Sequence, residues 1–256
     1  MKPDIVDLIN FLASYADTLI SVGSHNARVK RCVKRVAQSF GYDVSIFVLL
    51  KTITITVAQI DDYKNRRTIV KETTAHSVNL GMVSELSALS WAVKDENLSF
   101  DETRKIYEII LKSKDPKFSL SVVVTSAAFG AFCKLFGGDV WAIVFVVCGT
   151  ILGVSLRYFL QKQKFDLRVT YIICAFLSSF VAYLSFNFGL SNTPEAAISS
   201  SILYLFPGIV LLNSMFDILD KNVLVGVSRA VNATILIICM SIGIYITLTI
   251  AHMVSL

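Results

Sequence analysis

The sequence predicts an α-helical integral membrane protein in which five transmembrane helices follow a small α+β cytoplasmic domain. Charged residues are concentrated in the first half of the chain, whereas long apolar runs fill the second half. Over the whole chain 54% of residues are hydrophobic and 17% are charged, against about 25% charged in a typical soluble domain. We therefore expect the cytoplasmic α+β domain over residues 1–115 and the five-helix transmembrane domain over residues 116–256.

Two helices open the first domain. Apolar residues at helical spacing between positions 4 and 22 predict one helix, which Gly23 ends. A second helix is expected at about 24–40, with Ser24 as its N-cap and Gly41 as its stop. Its polar face is basic and consists of Arg28, Lys30, Arg31, Lys34 and Arg35. We interpret this face as solvated, with contact to acidic lipid or to a carboxylate substrate as the alternative.

The period of the sequence then changes from that of a helix to that of a strand. Three strands are expected, at 43–50, 52–59 and 68–72. The alternation of threonine with aliphatic residues over 52–59 is the clearest of the three patterns. Two further helices are expected at about 77–93 and 100–113, and Ser99 with Glu102 forms a capping-box pattern before the latter. These elements predict an antiparallel sheet with helices on both of its sides.

From Phe118 onward, apolar runs reach the ~20 residues that a bilayer-spanning helix needs. The spans are expected at about 118–136, 139–160, 168–190, 196–217 and 228–254. One set of span ends carries the basic residues Lys112, Lys114, Lys117, Arg157, Lys162, Lys164, Arg168, Lys221 and Arg229. The other set carries only Lys134. This bias predicts a multi-pass protein of the bacterial inner membrane, with its N-terminus in the cytoplasm and its C-terminus outside.

The fourth predicted span contains the pattern most relevant to function. Pro207 and Gly208 interrupt it, and a helix break inside a membrane is tolerated only where protein or a water-filled cavity satisfies the freed backbone. Secondary transporters bind substrate at such breaks, although a simple packing kink is the alternative. Asn213 and Asp217 follow at a spacing of four, on one face of the helix.

The start of the fifth span offers polar partners for that face. Arg229 and Asn232 lie early in the predicted helix, where a pair of Asp217 with Arg229 would neutralise two charges near the membrane. Interfacial anchoring of both residues is the alternative. Nearer the N-terminus, His25 stands close to a helix start, and the pKa of an unperturbed histidine lies near neutrality. Together with Arg28 it is a candidate gating or titrating residue, with a solvated histidine as the alternative.

Signatures of other functions are missing from the sequence. The five cysteines are too far apart for metal-ligand spacing, and no glycine-rich phosphate loop or defensible nucleophile–base pair occurs. No catalytic residue, metal or cofactor is therefore predicted. Much of the net charge of +5 lies beside the predicted spans, so it does not suggest a nucleic-acid partner.

Three motifs together resemble the threonine/serine exporter family over nearly the whole chain. The first consists of Pro207-Gly208, Asn213, Asp217, Gly226 and Arg229, in that order and spacing. The others are Ala27-Arg28-Val29 with Ala37 and Gly41, and Phe136-Gly137-Gly138. The opening motif departs from the pattern, because Ser24-His25-Asn26 stands where family members often carry an acidic residue.

The resemblance implies a function and a partner. The family occurs as a fused protein of about ten spans or as two chains, and this chain resembles the N-terminal half of the two-component form. A second, small multi-span membrane subunit is therefore expected. The family exports threonine and serine, some split members are linked to the dicarboxylate succinate, and the proton motive force is expected to drive export.

The resemblance also suggests roles for the candidate residues. The expected route of a small polar substrate runs past Pro207 and Gly208. Asn213 would orient the substrate, Asp217 would carry a proton or pair with Arg229, and Arg229 would favour a carboxylate. A membrane-anchored, hydrolase-like enzyme and a ligand sensor acting through the cytoplasmic domain are the alternatives to an exporter subunit.

Overall fold

The computed structural model describes residues 2–49, 52–62, 64–73, 78–113 and 118–254. The predicted domain boundary at 115/116 lies outside the described residues, as do Lys114 and Lys117. Contacts between residues divide the chain into two units. The first unit comprises residues 1–114 with 209–230, and the second comprises residues 115–208 with 231–256. Sequence patterns had not indicated that residues 209–230 pack with the N-terminal segment.

The first unit contains four helices and three strands before its hairpin. They are α1 (Ile5–Ser21), α2 (Asn26–Ser39), β1 (Tyr42–Leu49), β2 (Thr52–Gln59), β3 (Arg66–Glu72), α3 (Leu80–Asp95) and α4 (Phe100–Lys112). Gly23 and Gly41 follow α1 and α2 with φ of 96° and 79°, a backbone region that favours glycine. The expected N-cap at Ser24 is wrong, because His25 occupies the cap position without a capping side-chain bond. The capping box of Ser99 and Glu102 is present.

The sheet has the order β1-β2-β3, and both pairings are antiparallel. Ile53, Ile55 and Val57 of β2 are fully buried on the face that meets the helices. On the opposite face Phe47 and Val70 are 60% and 65% exposed. The expectation of helices on both sides is therefore wrong for the described residues. Threonines alternate with the aliphatic residues of β2, so its second face is polar enough to meet water.

The second unit is built from long apolar helices. The helices from residue 118 onward are α5 (Phe118–Leu135), α6 (Val140–Lys162), α7 (Leu167–Asn187), α8 (Pro194–Ser201), α9 (Gly208–Leu219) and α10 (Val223–Val254), with a 3₁₀ turn at Leu203–Leu205. Residues 209–230 of α9 and α10 belong to the first unit. The protein is thus mostly helical with one small sheet.

The number of spans depends on the broken segment. Among the described residues, four helices (α5, α6, α7 and α10) are long and apolar enough to cross a membrane. The fourth expected span is not one helix: α8 with its 3₁₀ turn and α9 form a pair bent by 62° at Phe206-Pro207. The count is therefore four, or five if the bent pair crosses as one broken span. Pro207 explains the break, because proline removes a backbone donor and clashes with the preceding turn.

Candidate functional site

Residues 209–230 form the α9–α10 hairpin, whose two helices approach each other closely. A Cβ added at Gly226 would lie 2.5 Å from Ile218 Cγ1 and 2.9 Å from the Ser214 carbonyl oxygen. Ser214 Oγ donates to the Gly226 carbonyl oxygen at 2.8 Å, which fastens the two helices at that level. Only glycine allows this approach, which explains why the motif read from the sequence contains Gly226.

The hairpin contacts the turn between α1 and α2. Asn213 Nδ2 donates to the Gly23 carbonyl oxygen at 2.7 Å. The rings of His25 and Phe216 lie 5.4 Å apart between centroids, at an angle of 37°. At the end of the hairpin, Lys30 Nζ of α2 donates to Asn222 Oδ1 at 2.8 Å. The turn and the start of α2 therefore contact the hairpin from Asn213 to Asn222.

A buried ion pair lies at the centre of this contact. Asp217 Oδ2 is 2.7 Å from Arg229 Nη1, and the two side chains are 0% and 20% exposed. This distance makes them an ion pair. Asp217 Oδ1 accepts from the backbone N–H of Asn26 at 3.0 Å. Because Asn26 is the first residue of α2, the carboxylate also meets the positive end of that helix.

Asn26 adds unused hydrogen-bonding capacity to the same place. The residue is 1% exposed, and neither its Nδ2 nor its Oδ1 has a hydrogen-bond partner among the described residues. A buried, unpaired amide costs about 1–3 kcal/mol. Such a group in a folded protein calls for an explanation, and either an ordered water or a small ligand that accepts one hydrogen bond and donates another would provide one.

His25 lies beside this site and has a depressed pKa. Burial lowers the pKa of His25 below its ordinary value, and the nearby charges of Arg28 and Arg31 lower it further. Asp217 and Asp220 oppose this effect but do not reverse it. The imidazole is therefore neutral at neutral pH and packs against Phe216 as an uncharged ring.

The structure brings together some of the residues selected from the sequence. Asn213, Asp217 and Arg229 meet within the first unit, and His25 and Arg28 belong to the α2 start that contacts them. The side-chain amide of Asn213 donates to the Gly23 carbonyl oxygen, so Asn213 holds the hairpin against this turn as well as being a candidate ligand. Asp217 and Arg229 form the pair that the sequence suggested.

The remaining selected residues belong to the second unit. Pro207 and Gly208 form the break itself, where Gly208 N donates to the Phe206 carbonyl oxygen at 2.9 Å. Asn232 is exposed on α10, one turn beyond Arg229. Sequence reasoning missed Asn26. Its only signal was its position in a short polar run before a basic helix.

Comparison with known proteins relates the whole chain to one family. The family model ThrE, described as "Putative threonine/serine exporter", matches residues 10–251. A "Probable succinate transporter subunit YjjP" of Klebsiella aerogenes is 22% identical over 90% of this chain and 89% of its own length. The protein of the same name in Escherichia coli K12 is 22% identical over 91% and 90%.

A third relative is longer than this chain. The "Threonine/serine exporter" of Corynebacterium glutamicum is 25% identical over 83% of this chain, which matches 45% of that protein. No solved structure matches the chain.

Proposed function

Because the chain belongs to the threonine/serine exporter family, we propose that it is one subunit of a proton-driven secondary exporter of small polar metabolites. Family membership supports a transporter over the hydrolase-like enzyme or the ligand sensor. Relatives that bear the word subunit in their names support a second membrane chain as partner. The proposed orientation, with the N-terminus in the cytoplasm and the C-terminus outside, rests on the distribution of lysine and arginine.

We propose that the substrate binds at the Asp217–Arg229 pair, and the observation that carries the proposal is that buried pair beside an unpartnered Asn26 amide. One carboxylate and one guanidinium match the two charges of a free amino acid. An α-carboxylate would take Arg229, an α-ammonium would take Asp217, and Asn26 would meet a hydroxyl or a second polar group. A zwitterion inserted in this way leaves no buried charge uncompensated.

The same arrangement provides a way to couple export to protons. A protonated Asp217 no longer attracts an ammonium group, so a proton and an amino acid exclude each other at this carboxylate. Mutually exclusive binding of two ligands is what exchange across a membrane requires. Protons that enter along their gradient would then displace the substrate outward. The bend at Pro207 and Gly208 is the proposed route through the second unit.

A dicarboxylate is the second candidate substrate, and the names of the two YjjP relatives favour it. Arg229 would bind one carboxylate of succinate as well as it binds that of an amino acid. The second carboxylate would be repelled by an ionised Asp217, so this substrate would require either a protonated Asp217 or a further cation. The two candidates therefore predict opposite effects of the charge of Asp217.

Efflux from loaded cells tests the proposal. Labelled threonine, serine and succinate are followed in cells that hold this chain with and without its partner, and we expect export only with the partner. Asp217→Asn should abolish most of the export of amino acids, and any efflux that remains should no longer respond to dissipation of the proton gradient. Asp220→Asn is the matched control, because it removes the same charge from an exposed position of the hairpin.

The outcome of that comparison separates the candidates. Retained or increased succinate efflux in Asp217→Asn would favour the dicarboxylate. If Asp217→Asn exports every substrate at the wild-type rate and at matched protein level, the site assignment is contradicted. Full export by the purified chain alone would contradict the two-chain proposal.

The break is tested separately. Pro207→Ala with Gly208→Ala should leave membrane insertion near normal but abolish export, because a continuous helix no longer opens its backbone. Pro194→Ala is the control, since that proline occupies the first turn of α8, where proline is tolerated. Equal export by the double variant and the wild type would reduce the break to a packing kink.

A further inference from the structure

A groove with a strong positive charge lies between α2 and α3 of the first unit. Two cavities of about 430 and 480 Å³ share Arg31, Arg35 and Trp91 in their walls and therefore lie side by side; together they make up the groove. Its cationic residues are Arg28, Arg31, Lys34, Arg35 and Lys94. No aspartate or glutamate is among the described residues that line either cavity. The charged side chains that line the groove are therefore all basic.

One guanidinium in the groove is held in a fixed orientation. Arg35 Cζ lies 3.6 Å from the centre of the Trp91 ring, and Arg35 Nη1 donates to Ser90 Oγ. A stacked guanidinium keeps its planar set of donors oriented, so less conformational entropy is lost when it binds an oxyanion. Ser84 and Ser87 of α3 add hydroxyl groups to the same wall.

None of the cations that line the groove forms a salt bridge with a described residue. Within the described part of the chain, the three ion pairs are Lys2–Asp61, Lys71–Asp17 and Arg229–Asp217, and none includes a groove cation. α2 itself contains no acidic residue. Like charges this close repel one another, and an anion that bridges them relieves the repulsion.

We propose that this groove is a binding site for a phosphate-bearing anion. A phosphate group with two negative charges satisfies several fork-shaped guanidinium donors at once, and serine hydroxyls donate to its remaining oxygens. A single carboxylate would leave most of the positive charge uncompensated. The phosphate belongs either to a soluble metabolite or to a lipid headgroup, which present the same chemistry to the groove. The site is separate from the Asp217–Arg229 pair.

Binding to the full chain tests this proposal without any measurement of transport. The chain is purified into nanodiscs of neutral lipid and titrated calorimetrically with inorganic pyrophosphate. Arg31→Gln with Lys34→Gln should weaken binding by about tenfold or more, as expected for the loss of charge-assisted contacts. Both side chains are exposed, so the variant should fold normally. Arg66→Gln with Arg67→Gln on β3 removes the same charge elsewhere and should bind like the wild type.

Two further measurements test the chemical class of the anion and the source of the phosphate. Succinate at equal concentration should not displace pyrophosphate, whereas displacement would contradict a site for phosphate. Adsorption to phosphatidylglycerol vesicles is then compared between the wild type, the groove variant (Arg31→Gln with Lys34→Gln) and the β3 variant (Arg66→Gln with Arg67→Gln). If pyrophosphate does not bind and only the groove variant adsorbs more weakly than the wild type, the lipid headgroup is supported. Equal behaviour of the groove variant and the β3 variant toward both probes, or binding of neither probe, would overturn the proposal. None of these outcomes depends on whether Asp217 and Arg229 bind the exported substrate.

Discussion

The interiors of the two units are built on different principles. Large side chains such as Leu8, Leu12 and Ile55 fill the first unit and are fully buried. In the second unit the closest approaches occur at small residues. A Cβ on Gly149 would lie 2.8 Å from the Ser178 carbonyl oxygen, and one on Gly243 would lie 2.5 Å from that of Ile172.

The difference reflects the solvent that each unit excludes. Water drives large apolar side chains together, so the first unit gains stability from the area that it buries. Lipid provides no such driving force between helices, so the second unit relies on close backbone approach and on hydrogen bonds between hydroxyl groups. Ser179 Oγ and Thr247 Oγ1 of the second unit, 2.7 Å apart, are one such contact. The α9–α10 hairpin of the first unit also has a close helix approach, at Gly226, and adds the buried ion pair of Asp217 with Arg229.

The largest effect is expected from the charge in the hairpin. Asp217→Ala leaves Arg229 largely buried without its partner, and the loss of one member of such a pair costs about 3–5 kcal/mol. Denaturation of the purified protein in detergent measures the change. Asp217→Leu with Arg229→Met should restore much of the stability without restoring export. If both variants were equally unstable, shape rather than charge would hold the hairpin.

Close packing in the second unit should give the next largest effect. Gly243→Leu forces a side chain against the backbone of α7, at a cost of about 1–3 kcal/mol for overpacking. Ile246→Leu, at an exposed position of the same helix, serves as the control. A midpoint of denaturation that is unchanged in Gly243→Leu would mean that α7 and α10 do not need their close approach.

A smaller effect is expected from the hydroxyl pair of the second unit. A double-mutant cycle of Ser179→Ala and Thr247→Val should give a coupling energy of about 0.6 kcal/mol, the average for interhelical hydrogen bonds in membranes. The cycle cancels the separate effects of each truncation. A coupling energy several times larger would indicate that the second unit depends on polar contacts as strongly as the hairpin does.

The smallest effect concerns the pH dependence at His25. Its pKa is lower in the folded protein than the value of about 6.5 for an unperturbed histidine. The unfolded chain therefore binds a proton first as the pH falls, and stability should decline below about pH 6.5 until the folded histidine also titrates. His25→Gln should flatten this part of the stability profile. An unchanged slope in the variant would assign the pH dependence to another group.

Local patterns in the sequence were sufficient to predict most elements. The alternation at 52–59 coincides with β2, and the capping box at Ser99 starts α4. Helices were wrongly expected on the second face of the sheet. The alternation of threonine with aliphatic residues predicts a strand, but it does not predict whether a helix covers the polar face of that strand. The break was expected at Pro207, since proline acts on its own turn.

The candidate site was only partly predictable. The pairing of Asp217 with Arg229 could be predicted from the sequence, because a charge near the membrane is costly unless an opposite charge neutralises it. The docking of the hairpin on the turn at Gly23–Asn26 was not foreseen, because nothing local in either segment specifies the other. For the same reason Asn26 was missed as a member of the site. Contacts between distant segments depend on tertiary packing.

The bond between Asn26 and Asp217 also has a consequence for biosynthesis. The two residues are 191 positions apart, so at typical rates of synthesis roughly 10–40 s separate their appearance. During that interval the start of α2 waits for a hairpin that has not yet been made. The first unit, although it begins at the N-terminus, therefore cannot finish folding until residues 209–230 have been synthesised. A fragment that stops before residue 209 lacks this hairpin.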